Sequence, residues 1–360
     1  MTTPNPMVGA VLVKRGRVIG CGWHRRAGAP HAEIEAIHDA LAREQTARGA
    51  TLYVTLEPCS TQGRTPPCTA AIIAAGIKEV VVGATDPNPR HRGRAFAILG
   101  RAGLRVTTGV LAEECERLND AFNHWIVHRT PFVTVKAAMT MDGKIATARG
   151  ESKWITGRRA RGYGMKLRQG ADAVLVGINT VLADDPSLTV RGPRTGRQPR
   201  RIVLDAMART PLSAKVVTDR HAQWTTIVVS KLAPEKRVRA LAKRVTVLVA
   251  PSGTAGHVRS NRKAHPASKL ELPWLLRNLG AQNVINLLVE GGGEVNASFL
   301  LQRLAHRVAF FYAPKVLGGR DSVRAVAGGG AISLADALRL GDVEWRRLGP
   351  NLLLNARMVA

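Results

Sequence analysis

His31, Glu33, Cys59 and Cys68 are the residues of this chain whose types and order could do chemistry. One imidazole and two thiolates hold Zn²⁺ tetrahedrally with a fourth position left for water, and the metal lowers that water's pKa toward neutrality. Glu33, in the run His31-Ala32-Glu33, is a carboxylate beside the imidazole that does not ligate. Such a group can take a proton from attacking water and hand one to a departing amine, as hydrolysis of an amidine-like ring carbon requires. Alone, a His-x-Glu or a cysteine pair says little, since buried thiols often serve as small apolar filler. The ordered set, with Pro58-Cys59 closing a β-rich run, points to hydrolytic deamination. A purely structural zinc in a basic binding protein would have no use for Glu33. Cys21 and Cys115 lack such company and read as structural thiols.

The elements that must carry these residues are legible in the pattern. Val8 to Ile19 reads as a hairpin with a charged tip at Lys14-Arg15-Gly16-Arg17. His31 to Arg43 places Ile34, Ile37, His38 and Leu41 at helical spacings, so His31 opens a helix and Glu33 falls in its first turn. Thr51 to Leu56 reads as a strand leading into Pro58-Cys59, Thr69 to Ala75 as a helix ended by Gly76, and Glu79 to Gly83 as the next strand. Both halves of the metal set thus fall at helix N-termini, whose positive dipole end favours thiolate. Strand alternating with helix implies a layered α/β domain. Its helical end, Leu118 to His128, is broken by Arg129-Thr130-Pro131, and Phe132 to Lys136 opens a new strand, so the predicted domains are 1–128 and 132–360. In the second, Leu287-Leu288-Val289 is a buried strand entering Glu290-Gly291-Gly292-Gly293 and a helix to Leu304. Glycine amides at such a helix start can approach a dinucleotide's phosphates, although this is not a GxGxxG fingerprint. Ala250 to Lys269 is expected to be an exposed loop.

Composition sets the outer limits. With 360 residues the chain is long enough for two domains, and 45% hydrophobic with 4% aromatic residues indicates aliphatic packing. No apolar run approaches the ~20 residues of a membrane span, no signal peptide precedes the first motif, and four cysteines give no disulfide framework, so a cytoplasmic protein is expected. The formal charge of +27, from 53 Lys and Arg against 26 Asp and Glu, tempts a polyanion-binding reading. The arginines are scattered without an aromatic platform, so composition plus anionic small ligands accounts for them and specific nucleic-acid binding is not expected.

Eight residues separate Cys59 from Cys68, whereas cytosine and adenine deaminases typically use Pro-Cys-x-x-Cys. That spacing and the dinucleotide-type second half count against a tRNA or nucleotide deaminase. The gap sequence Ser60-Thr61-Gln62-Gly63-Arg64-Thr65-Pro66-Pro67 resembles the riboflavin-pathway deaminase family, as do Thr3-Pro4-Asn5-Pro6-Met7-Val8-Gly9 and Asp86-Pro87-Asn88-Pro89. Lys136 to Ala146, Glu151 to Thr156, Leu167-Arg168, Ala173 to Val181, Asp184 to Arg191 and Val289 to Gly292 resemble the reductase half of the same family, in the same order. Nearly the whole chain is covered, so it is similar to the bifunctional riboflavin-biosynthesis deaminase-reductases.

The resemblance implies a cytidine-deaminase-like three-layer α/β/α domain followed by a dihydrofolate-reductase-like α/β domain, with one Zn²⁺ and NADPH as cofactors. It implies hydrolysis of the 2-amino group of a phosphoribosyl diaminopyrimidine, then reduction of the ribosyl carbon by hydride from NADPH. His31, Cys59 and Cys68 would ligate zinc, Glu33 would move protons, and Asn5 would lie in a substrate-binding turn. Ala138, Trp154, Thr180, Asp184, Gly292, Gly293, Glu294, Val295, Asn296, Ala297 and Ser298 would line the NADPH site. Ser152, Arg168, Leu188, Arg191 and Glu290 would face the phosphoribosyl substrate, arginine suiting phosphate because its fork binds two oxygens at once. Lys136 and Asp142 would help from behind, and a homo-oligomer is expected. Family members carry a helix of about 20 residues before the Asn5 turn. This chain starts almost at the turn, so either its start is assigned too late or the domain exposes apolar surface and is less stable. Thr61 stands where the family has His.

Overall fold

The computed structural model describes residues 2–63, 66–192, 197–251 and 270–359. Most of the loop expected over Ala250 to Lys269 lies outside them, as do Arg64 and Thr65. The chain divides into two compact units, Met1–Thr130 and Pro131–Ala360.

The first unit runs β1 (Gly9–Lys14), β2 (Arg17–Trp23), α1 (Ala32–Ala42), β3 (Thr51–Leu56), α2 (Cys68–Ala74), β4 (Glu79–Ala84), α3 (Arg94–Arg101), β5 (Arg105–Thr108), α4 (Ala112–Leu118) and α5 (Asp120–His128). Its sheet has the order β2-β1-β3-β4-β5; β1 is antiparallel to both its neighbours and β3, β4 and β5 are parallel. Leu12, Leu52, Val80 and Val82 form its buried side, with Ile72 of α2 and Leu99 of α3 packed over them. α4 packs on β4 and α5, giving the third layer.

The face α1 buries most deeply carries alanines, with Ile34 and Ile37 only partly buried against the core. Leu41 is 61% exposed, whereas Ala32, Ala36 and Ala40 are wholly buried. Small side chains let the helix backbone come down onto β1 and β2, and β2 answers with glycine. A Cβ on Gly22 would stand 2.4 Å from the Ala36 nitrogen and 2.5 Å from the Ala32 carbonyl oxygen. Close backbone approach, more than the spacing of large apolar side chains, selects this face. Next along β2, Cys21 and Trp23 are exposed, as is Tyr53 of β3. Cys21 therefore lies on the surface rather than in a core.

The second unit contains β6 (Phe132–Thr140), β7 (Lys144–Ala146), α6 (Arg158–Gln169), β8 (Ala173–Gly177), α7 (Ile178–Asp184), β9 (Arg200–Leu204), α8 (Lys215–Thr218), β10 (Thr225–Ser230), α9 (Glu235–Ala242) and β11 (Thr246–Ala250). It continues with α10 (Leu272–Ala281), β12 (Asn286–Val289), α11 (Gly293–Leu301), β13 (Arg307–Ala313), β14 (Val323–Arg324), β15 (Leu340–Leu348) and β16 (Asn351–Met358). Nine strands form one sheet in the order β11-β10-β9-β8-β12-β6-β13-β16-β15, parallel from β11 to β13, with β16 and β15 antiparallel. β8 and β12 are buried strands with near-continuous aliphatic sequence, as a sheet covered on both faces requires. β12 slots between β6 and β8, two strands laid down much earlier, so connections diverge there and open a crevice at the strands' carboxyl ends. α11 ends at Leu301, short of the expected Leu304.

If the small-residue face holds α1 to the sheet, Gly22→Ala should destabilise the first unit by about 1–3 kcal/mol through overpacking, while Leu41→Ala should stay within about 0.5 kcal/mol. Denaturant unfolding of the two variants distinguishes the faces.

Candidate active sites

In the first unit His31 is the N-cap of α1 and Cys68 the first residue of α2, while Cys59 follows the β3 exit. His31 Nδ1 lies 3.5 Å from Cys59 Sγ and 3.3 Å from Cys68 Sγ, and all three donor atoms fall within 4.8 Å of one another. A tetrahedral zinc with Zn–S of about 2.3 Å and Zn–N of about 2.0–2.1 Å places nitrogen and sulfur about 3.5 Å apart, so the donor set fits that ion. The Cys68 thiol hydrogen-bonds Cys59 and, against burial, lowers the Cys59 thiol to about 4, with His31 and the Cys68 amide assisting. That amide donates to Cys59 Sγ at 3.2 Å. Cys68 keeps the proton they share and is pushed up accordingly, so the pair titrates as a unit with Cys59 as its thiolate.

Glu33 sits in the first turn of α1, only 3% exposed and hydrogen-bonded to the Cys68 thiol. Burial pushes its carboxyl above the ordinary range, which suits a group that must hold and release a proton. Asn5 Nδ2 donates to His24 Nε2 at 3.1 Å, the His24 Nδ1–H donates to the Pro30 carbonyl at 3.0 Å, and the His24 ring stands edge-on to His31. Desolvation lowers His24, so its neutral ring can accept from Asn5. Sequence reasoning passed over His24; its only signal was a histidine seven residues before the ligand. Cys21 and Cys115 do not join the cluster.

In the second unit a cavity of about 430 Å³ opens at the carboxyl ends of β8, β9 and β12. Of the residues expected at a dinucleotide site, Thr180, Gly292, Gly293, Glu294 and Val295 line it. Gly292 caps α11 without a side-chain hydrogen bond, leaving the helix N–H groups for an anion. A Cβ on Gly293 would fall 2.2 Å from the Arg324 carbonyl oxygen, so glycine lets β14 close this wall. Asn296 and Ala297 lie beneath the lining, Asn296 Nδ2 donating to the Ala325 carbonyl, and Ser298 Oγ donates to the Glu294 carbonyl. Ala138, Trp154 and Asp184 are outside the lining. Trp154 is 62% exposed under the Arg161 guanidinium, and Asp184 pairs with Lys153 at 3.1 Å. Arg209 and Arg324 supply cationic lining that the sequence did not single out.

Arg168 does not offer its fork to a ligand. Its Nε and Nη2 donate to the two Glu290 oxygens at 3.1 and 2.7 Å, and Nη1 donates to the Thr189 carbonyl at 3.0 Å. Lys136 Nζ stands 3.8 Å from the same carboxylate. Burial pushes the Glu290 carboxyl up, but Lys136 and Arg168 outweigh it and hold it at about 2. Leu188 has φ +52° and is 3% exposed, so its backbone is what could face a substrate. Arg191 is exposed and Ser152 half-buried. Asp142 braces a loop, accepting from Thr140 Oγ1 and from the Leu317 and Gly318 amides.

A zinc-type deaminase constellation on one α/β unit and a dinucleotide-type crevice on another define a two-domain deaminase and reductase. The cytidine and deoxycytidylate deaminase zinc-binding region matches residues 1–84, and the RibD C-terminal domain matches 131–354. The riboflavin biosynthesis protein RibD of Aquifex aeolicus (strain VF5) is 42% identical over 98% of this chain and 92% of its own, and that of Escherichia coli (strain K12) 37% over 98% and 94%. Among solved structures, Acinetobacter baumannii RibD, form 1, superposes with a TM-score of 0.84 at 33% identity, covering 100% of this chain and 94% of that one. A Thermotoga maritima diaminohydroxyphosphoribosylaminopyrimidine deaminase/5-amino-6-(5-phosphoribosylamino)uracil reductase superposes at 0.81 with 34% identity, covering 99% and 93%. The chain belongs to the RibD family of riboflavin-biosynthesis proteins.

The Glu290 ion pairs carry a pH signature. Because the folded carboxyl lies below its ordinary 4.5, their stabilisation is complete above that pH and is lost as pH falls toward about 2. Arg168→Ala should cost the second unit about 3–5 kcal/mol at neutral pH by stranding a buried carboxylate. Unfolding followed between those pH values should show this penalty shrinking on acidification.

Proposed function

We propose that the unit formed by residues 1–128 converts 2,5-diamino-6-(5-phosphoribosylamino)pyrimidin-4(3H)-one to 5-amino-6-(5-phosphoribosylamino)uracil, and that 132–360 reduces the ribosyl group to give 5-amino-6-(5-phosphoribitylamino)uracil. The observation that carries the first step is the buried Glu33 carboxyl beside a His31, Cys59 and Cys68 donor set of zinc dimensions. Bound zinc would supply the Lewis acidity that makes water nucleophilic near neutral pH. Glu33 takes a proton from that water and delivers one to the departing 2-amino group, so ammonia leaves and the water oxygen becomes the uracil carbonyl. Asn5, held by His24, orients the pyrimidine.

In the second unit the α11 N-terminus, Gly292, Gly293 and Thr180 bind the NADPH diphosphate; the family resemblance assigns Trp154, Ala138 and Asp184, which lie outside the cavity lining, to the same cofactor. NADPH supplies the hydride, and the protein's part is position more than acid-base power. Glu290, fixed by Arg168 and Lys136, presents a rigid polar group to the ribosyl chain; the family resemblance assigns Ser152 and Leu188 to the same substrate. Arg191, whose guanidinium is not tied to Glu290, takes the phosphate.

No described helix is long and apolar enough to cross a membrane. The four free cysteines support a reducing, cytoplasmic setting. The exposed Val343 and Trp345 on the edge strand β15 support a homo-oligomer, which light scattering would detect.

Incubation with the diaminopyrimidine phosphate should give aminouracil without NADPH and the ribityl product only with it. Neither product, with salt-sensitive RNA binding instead, would reject the reading. Glu33→Gln should keep stoichiometric zinc and lose about 10²–10⁴-fold in deamination rate; full turnover in that variant removes Glu33 from its role. Arg191→Ala should raise the reductase KM with kcat little changed, the mark of lost ground-state binding.

A further inference from the structure

Glu57, two residues before Cys59, is a buried carboxylate that neither metal binding nor proton transfer uses. It is 5% exposed, and its oxygens accept three backbone N–H groups from one segment: Oε2 from Asp86 at 3.1 Å and Gly93 at 2.9 Å, Oε1 from Ala95 at 3.1 Å. Its own N–H donates to the Ala84 carbonyl at the end of β4. Its partners in these bonds are amides rather than a cation, a costly way to bury a charge unless the hydrogen bonds replace its hydration well. If its only task were to fill volume, an apolar side chain would do so without that cost.

The donors show what the carboxylate holds. Asp86 opens a loop after β4, while Gly93 and Ala95 lie at the start of α3, so one side chain clasps both ends of the stretch from Asp86 to Gly93. Within it the Asp86 and Asn88 side chains accept from the Asn88 and Arg90 amides, making two successive tight turns. The loop reaches the metal-site gap at His91, whose Nδ1 lies 3.5 Å from Thr61 Oγ1. Its tip reads Arg90-His91-Arg92, with both arginines exposed. A cationic tip clasped at its base, beside the segment joining two metal ligands, suits an anionic group on a substrate whose ring sits at the metal.

We infer that Glu57 is a positioning residue for deamination: by clasping the Asp86–Gly93 loop to the Cys59 turn, it sets the cationic tip at the distance from the reacting carbon that the substrate's phosphate requires. The inference rests on the deaminase reading of the first unit. The loop meets a part of the substrate that does not react, so its contacts are equal in ground and transition states and act on KM.

The test uses the full-length zinc-loaded protein with Glu57→Ala and Glu57→Gln, assayed on the phosphorylated diaminopyrimidine and on its dephosphorylated riboside. Expected in Glu57→Ala is a rise of about 10- to 100-fold in KM for the phosphorylated substrate, from a misplacement on the ångström scale. The riboside KM, zinc content and reductase activity should stay near wild type. Glu57→Gln, which keeps one acceptor oxygen, should fall between wild type and Ala. Hydrogen exchange at the Asp86, Gly93 and Ala95 amides should speed up in the same order, a readout that needs no turnover. Equal KM effects on both substrates, loss of zinc with falling kcat, or unchanged exchange at those amides would each overturn the inference. A wild-type protein that deaminates neither substrate would instead overturn the deaminase reading.

Discussion

The close approach of α1 to β1 and β2 is the contact on which the deaminase unit depends. A helix carrying Ala32, Ala36 and Ala40 against Gly20 and Gly22 can settle backbone to backbone, where large side chains at those positions would hold it farther off. That depth fixes where His31 and Glu33 emerge, because both sit at the helix start, where rotation or rise of the axis moves them most. The two thiols arrive from other elements, Cys59 from the end of β3 and Cys68 from the start of α2. Donor distances matching a tetrahedral ion are therefore a property of packing between three elements.

The second unit solves a different problem with the same sheet logic. Parallel strands bring helix N-termini to one edge, and the insertion of β12 between β6 and β8 opens a crevice there. Buried charge ties together another part of the unit, outside the lining of that cavity. Glu290 leaves the end of β12 and meets Arg168 from α6 and Lys136 from β6, so three elements far apart in sequence converge on one carboxylate. Such a network contributes little net stability over an apolar alternative, but its parts cannot be removed singly without stranding a charge.

Much of this is legible in the sequence. The pattern places β3 at Thr51 to Leu56, as found, and brings His31 to a helix start, because period-two and period-3.6 patterning are local properties. How closely α1 approaches the sheet is not legible, because apolar spacing marks Ile34 and Ile37, which do pack on the core, together with Leu41, which is exposed, while the closest contact falls to the alanines. Arg168 reads as a phosphate fork in sequence; only the fold shows Glu290 and Thr189 occupying it. Asp142 likewise reads as a helper to chemistry and turns out to clamp Leu317 and Gly318.

The sequence by itself determined the chemistry on offer: the types and order of His31, Glu33, Cys59 and Cys68, the glycine-rich strand-to-helix turn, and the family these belong to. Those are matters of covalent order, which a chain carries before it folds. Tertiary structure decided which polar groups are engaged and which remain available, as with Glu57 spent on three amides and Arg191 exposed. A side chain's partner is settled by contacts between residues distant in the chain, and no local pattern encodes those.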